Sequence, residues 1–141
     1  FVSVAEETGL IGALGAYVLD ESARQLAVWR QLPGCAHLTM SVNVSPRQMH
    51  EGDMVQTFIT TLERHHLTPN SIWCEITESM VMHNSAQTVQ KLQKLHDLGI
   101  AICVDKSQRI ARYVEDGVVR ALKRRAARHS RAGAGGRISR P

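Results

Sequence analysis

The 141 residues suffice for one ordinary domain, and no run of about 18 apolar residues is present to span a membrane. The net charge of +4 hides two unlike segments. Residues 1–105 carry 6 Lys and Arg against 11 Asp and Glu, a balance of −5, whereas residues 106–141 carry 11 against 2, a balance of +9.

The stretch "GLIGALGAYVLDESARQLAVWRQL" has a helical pattern, with Leu14, Val18, Leu19, Ala23, Leu26 and Trp29 at helical spacing, and Pro33-Gly34 ends it. A strand is expected over 38–44, where Leu38, Met40, Val42 and Val44 alternate with polar residues. Pro46 and Gly52 mark a loop. Asp53 is placed to cap a helix to about His65, with Met54, Val55, Phe58, Ile59 and Leu62 inward. After the turn "LTPNS", "IWCEI" reads as a second strand over 72–76. Asn84 or Ser85 caps a third helix striped by Val89, Leu92, Leu95 and Leu98, and Gly99 is its natural stop. "IAICVD", 100–105, is a third strand.

Helices alternating with strands imply a parallel sheet with helices packed outside. The repeat is regular: Asn43 to Glu75 is 32 residues and Glu75 to Asp105 is 30. One unit of a β/α-barrel takes about 30 residues. By period two, Asn43 shares a face with Thr39 and Ser41, Glu75 with Trp73 and Thr77, and Asp105 with Ala101 and Cys103. Each strand thus carries one oxygen-bearing side chain at or near its C-terminal end, the rim where barrel chemistry occurs. An amide oxygen and two carboxylates suit a hard cation such as Mg²⁺ or Mn²⁺ rather than zinc. The plainer reading is that polar residues simply terminate strands.

These residues also carry a resemblance. "FVSVAEETGLIGALGAYVLDES", "SVNVSPRQ", "EITESMVM" and "LGIAICVD" closely resemble the EAL domain, the bacterial phosphodiesterase of cyclic di-GMP, from Phe1 to Asp105. The resemblance implies an α/β fold of TIM-like barrel type, present here in part as three parallel strands with flanking helices and a basic C-terminal tail. It implies Mg²⁺ or Mn²⁺ as cofactor and opening of cyclic di-GMP to linear pGpG. Carried over by position, Asn43, Glu75 and Asp105 match metal ligands, and Glu78 matches the residue that holds the loop beside the metals. The family's Glu-Ala-Leu signature is expected before Phe1, a start with no initiator Met, signal peptide or transit peptide. Either residues precede it in the full gene product or the chain has been cut.

The resemblance breaks after Asp105. "DKSQRIARYV" replaces the family's "DDFGTGYSSL", Lys106 stands where a second acid belongs, and the later lysine motif is missing. The chain therefore reads as an inactive EAL fragment. The alternative is a degenerate EAL module that binds cyclic di-GMP or a partner protein without hydrolysis. Residues 106–141 form a basic tail. Ile110, Val114, Val118 and Leu122 recur every four residues, so a helix is expected over 108–123, with disorder beyond. The tail reads as a misread or rearranged coding end, as a basic arm for nucleic acid or a membrane surface, or as a solvated end without a role. A misread end has no specific nucleic-acid partner.

Other residues carry plainer expectations. Trp29 and Trp73 are assigned to the core, and His65-His66 to a helix end whose dipole favours a cation. Arg47 is within reach of a phosphate but is read as a surface arginine. Three widely spaced cysteines, Cys35, Cys74 and Cys103, suggest a reducing, cytoplasmic compartment, alone or within a longer membrane-tethered protein. Three strands of an unclosed barrel leave two bare edges, so a homo-oligomer through those edges, or folding only inside a longer chain, is expected.

Overall fold

Strand β2, Ile72–Thr77, organises the sheet: β1 (Met40–Asn43) pairs with one side of it and β3 (Ala101–Asp105) with the other, both in parallel. The computed structural model describes residues 2–82 and 85–105. Within them the other elements are α1 (Val2–Glu7), α2 (Ile11–Arg30), α3 (Pro46–Glu51), α4 (Met54–Arg64), a 3₁₀ turn at Pro69–Ser71, α5 (Glu78–Met82) and α6 (Ala86–Asp97). The basic tail, including Lys106 and the expected helix over 108–123, lies outside the described residues, as does Asn84. Among the described residues no helix is long and apolar enough to cross a membrane.

The core lies on one face of the sheet. Val42, Ile72, Cys74, Ile76 and Ile102 meet Leu19, Ala23 and Leu26 of α2, Phe58 and Leu62 of α4, and Leu92 and Leu95 of α6. These positions recur with period two in the strands and with periods three and four in the helices, as burial of one face requires. Burial also pushes the Cys74 thiol up to about 12, with the charge of the Cys103 thiol on the neighbouring strand adding to the shift. All three cysteines are free thiols.

Several expectations give way to tertiary context. The first strand is only Met40–Asn43, because β2 begins at Ile72 and offers no earlier partner. The Val44 amide extends the ladder by donating to the Glu75 carbonyl at 2.8 Å. The expected loop between Pro46 and Gly52 is helix α3, held by a capping box in which the Ser45 hydroxyl and the Gln48 side chain each accept the other's backbone N–H. Pro46 therefore starts a helix there instead of breaking one. Trp29 is not a core residue: it is 42% exposed, and Trp73 is half-buried on the face opposite the core. Val18 is exposed too, because α2 buries only its Ile11, Leu19, Ala23 and Leu26 side.

Polar ties fix the helices to the sheet. The Arg30 guanidinium donates to the Ala36 carbonyl at 2.8 Å and to the Ser71 hydroxyl, joining the end of α2 to the entry of β2. The Lys91 ammonium donates to the carbonyls of Met49 (2.8 Å), His50 (3.2 Å) and Gly52 (2.7 Å), closing the C-terminus of α3 from α6. Asp20 on α2 accepts from Arg64 at 2.8 Å and from His65 at 3.0 Å, beside the end of α4. The His65 bond, helped by Arg64, holds the Asp20 carboxyl below its ordinary value of 3.8. Gly15 leaves room for Gln48, since a methyl there would lie 1.5 Å from the Gln48 Nε2.

Lys91→Met removes three charge-assisted bonds and is expected to cost about 1–3 kcal/mol in urea unfolding, whereas Lys94→Met, which breaks none among the described residues, stays within about 0.5 kcal/mol. Gly15→Ala displaces Gln48 and undoes the capping box, for a loss of about 1 kcal/mol or more. In a double-mutant cycle with Gln48→Ala the two losses fail to add, because both act through one side chain. Asp20→Asn tests the acid limb. A depressed folded pKa gives stability that is fully present above the unfolded value near 3.8 and is lost as pH falls through the folded one. The gap in urea midpoint between wild type and Asp20→Asn therefore narrows as the pH falls below that ordinary value.

Candidate metal and nucleotide site

The face of the sheet turned away from the core carries three rows of side chains. The lowest is Ser41–Trp73–Ala101, the next Asn43–Glu75–Cys103, and the uppermost pairs Thr77 with Asp105. Parallel strands lie about 4.8 Å apart, so neighbours in a row are close enough to share a ligand. Asn43 and Glu75 are direct register partners. Asp105 stands opposite Thr77, one row nearer the C-terminal rim than Glu75, whose own partner is Cys103. The expected face is therefore common to all three donors, but the expected level is not. Among the described residues no group of three or more His, Cys, Asp or Glu side chains is placed to hold a metal ion. The donors on this face are two acids and an amide.

Asn43 is exposed, Glu75 and Asp105 are half-buried, and Cys103 is buried. Within the described residues no side chain makes an ion pair or hydrogen bond to the carboxylates of Glu75 or Asp105, nor to that of Glu78, which is exposed at the start of α5. Arg24 is engaged with Glu21, Arg47 with Glu51 and Arg64 with Asp20. Two half-buried carboxylates on one face without a counter-charge favour a bound cation.

Asn43, Glu75 and Thr77 open into a cleft of about 370 Å³ whose other walls include Glu6 of α1, Gly15 of α2 and Gln48 of α3. Glu6 and Gln48 were not expected there. The Ser45-to-Gln48 spacing is a readable capping-box signal for Gln48. Nothing local signals Glu6, which arrives through the fold. Arg47, read as a surface residue, pairs with Glu51 at 2.9 Å and donates to the Glu6 carbonyl, so it fixes α1 over the cleft. His65 bonds Asp20, away from this face.

Parallel strands with helices on one side and oxygen donors at their C-terminal ends define part of a β/α-barrel protein. The EAL domain family model matches residues 1–110, and the chain belongs to that family. It is 36% identical over 105 residues, 74% of its length, to the signaling protein YkoW of Bacillus subtilis, and covers 13% of that protein. It is 35% identical over 105 residues, again 74% of its length, to the bifunctional diguanylate cyclase/cyclic di-GMP phosphodiesterase MucR of Pseudomonas aeruginosa, of which it covers 15%. A solved PaMucR phosphodiesterase in complex with c-di-GMP superposes with a TM-score of 0.71 at 31% identity, over 86% of this chain and 51% of that one. Klebsiella pneumoniae BlrP1, solved with manganese and c-di-GMP, gives a TM-score of 0.52 at 25% identity, over 73% of this chain and 26% of that one. The chain thus spans about half of the solved PaMucR chain and a small share of the curated relatives.

Should the open face carry uncompensated acid, Glu75→Gln leaves the fold intact and does not lower its stability. The expected outcome is an unchanged or slightly raised melting temperature, checked by calorimetry without added metal, since one of two unpaired half-buried carboxylates is removed.

Proposed function

We propose that this chain is a portion of an EAL module whose inner sheet face binds a hard divalent cation, Mg²⁺ or Mn²⁺, and through it a phosphate of cyclic di-GMP. The observation that carries the reading is the pair of half-buried carboxylates, Glu75 and Asp105, on one face with no cationic partner among the described residues. Asn43, level with Glu75, adds a neutral oxygen. This donor set fits Mg²⁺ and Mn²⁺, which prefer carboxylate and carbonyl oxygen. When bound, paired dications lower the pKa of a water and stabilise the leaving oxygen of a phosphodiester. Asn43, Glu75 and Asp105 would hold the cation, and Glu78, at the rim, would support the loop beside it.

The reading is binding without turnover. Lys106 follows Asp105 directly and places a positive charge where the family resemblance calls for an acid. Three free cysteines fit a reducing, cytoplasmic setting.

Titration with Mn²⁺, followed by the loss of its free-ion paramagnetic signal, tests the site. Glu75→Gln and Asp105→Asn are each expected to weaken binding at least tenfold, no less than the loss that follows removal of a supporting group around a ligand. Unchanged affinity in both variants would place the ion elsewhere. Incubated with cyclic di-GMP and Mn²⁺, the chain is expected to release no pGpG above a protein-free blank. Product that disappears in Glu75→Ala would overturn the reading of binding without turnover.

A further inference from the structure

Helix α2 carries apolar side chains on its solvent side as well as on its core side. Leu19, Ala23 and Leu26 are buried, whereas Tyr17 and Val28, about half a turn round the helix from them, are 67% and 46% exposed. Leu10 and Leu32, just beyond the two ends, are 63% and 52% exposed. A solvated helix face normally carries polar and charged groups. This one holds a single charged pair at its middle, Glu21 and Arg24, joined by bonds of 2.9 and 2.6 Å and therefore neutral as a unit. The exposures mean that no described element covers the stripe.

The order of the stripe is symmetric. Tyr17 precedes Glu21 by four residues and Val28 follows Arg24 by four, while Ala13 and Leu32 stand eight residues outside the pair on either side. Read in reverse, the series keeps its apolar positions and exchanges its acid for its base. A two-fold contact needs that property, because it brings residue i of one copy to residue j of the other and j to i.

We propose that the outward face of α2 is a docking surface for a second copy of this chain, the two helices running antiparallel about a two-fold axis between Glu21 and Arg24. Each Glu21 then meets the other copy's Arg24, each Tyr17 packs on a Val28, and each Leu32 covers an Ala13. The axis thus brings unlike charges together at the centre and apolar groups together on both flanks. Like charges brought together there would instead cost affinity. One helix face about 30 Å long buries less than the roughly 800 Å² that each partner gives to a standard stable interface, so the dimer is weak and concentration-dependent. Tyr17, Glu21, Arg24 and Val28 do not line the cleft beside Asn43 and Glu75, so this inference and the Mn²⁺ titration fail independently.

Sedimentation velocity of the full chain tests the surface, at concentrations from micromolar to about 1 mM, where weak dimers populate. Wild type is expected to shift from monomer to dimer across that range, and Tyr17→Glu to weaken the dimer at least tenfold, with circular dichroism showing the helix retained. Glu21→Arg sets base against base across the axis, and Arg24→Glu sets acid against acid, so each variant alone is expected to dimerise several-fold more weakly. An equal mixture of these two variants is expected to associate at least as tightly as wild type. Neither chain in that mixture regains its internal ion pair, so the recovery reports contact between copies. A wild type that stays monomeric throughout overturns the proposal. So does a mixture no tighter than either variant alone, or a dimer indifferent to Tyr17→Glu, which is the behaviour of association through the strand edges.

Discussion

The rest of the structure depends on one constraint: β2 is hydrogen-bonded on both edges, and among the described residues the hydrophobic core packs on one of its faces. Ile72, Cys74 and Ile76 are fully buried against the helices, so Trp73, Glu75 and Thr77 must point the other way. A slip of one residue would bury Glu75 and expose Cys74 and Ile76, at a cost no local interaction offsets. The position of Glu75 is therefore decided by its apolar neighbours. Asn43 and Asp105 follow in the same way, through Val42 on β1 and Ile102 on β3.

The helices deliver the remaining parts of the site by contacts far from it in sequence. Gln48 sits in the cleft wall because Ser45 caps α3 and because Gly15 leaves the space a side chain would fill. Lys91 closes the other end of α3 from a helix about forty residues on. Arg47 ties α1 to α3 through the Glu6 carbonyl, and so brings Glu6 beside Asn43 and Glu75. Each tie uses one side chain to satisfy backbone groups at an element's end, where they would otherwise lack partners. The mouth of the cleft is thus as rigid as three short helix ends allow.

These origins explain what the sequence disclosed. The long helices and three strands were legible, because one-sided burial writes its period into every few residues. The shared face of Asn43, Glu75 and Asp105 was legible for the same reason. Their level was not. Spacings of 32 and 30 residues count the connecting helices and turns as well as the strands, and do not fix where β3 begins to pair. Trp73 opposite Ala101 settles that register and puts Asp105 beside Thr77. Helices α1, α3 and α5, of five or six residues, hold too few turns for a periodic signal, and Pro46 was mistaken for a break because its value at a helix start depends on Ser45 and Gln48 together. Trp29 was misjudged because size suggests burial, whereas α2 has one covered side only.

The same open face sets how strongly three oxygen donors can act. Attraction between fixed charges scales inversely with the effective dielectric, roughly 80 in water and about 20 near a protein surface that limits solvent access. Identical carboxylates at identical positions would therefore attract a cation about four times less strongly when washed by water than when covered. Glu75 and Asp105, both half-buried, stand between those limits. Whatever lies above the sheet would set the field at these carboxylates without touching them, by excluding water and by adding or removing positive charge. In this chain the residues beyond Asp105 are strongly cationic, where the family resemblance calls for an acid at the first of them. Ligand identity alone is then a poor guide to occupancy. Side-chain chemistry decides which ion would be suitable at such a face, and the exclusion of water decides how strongly it would be held.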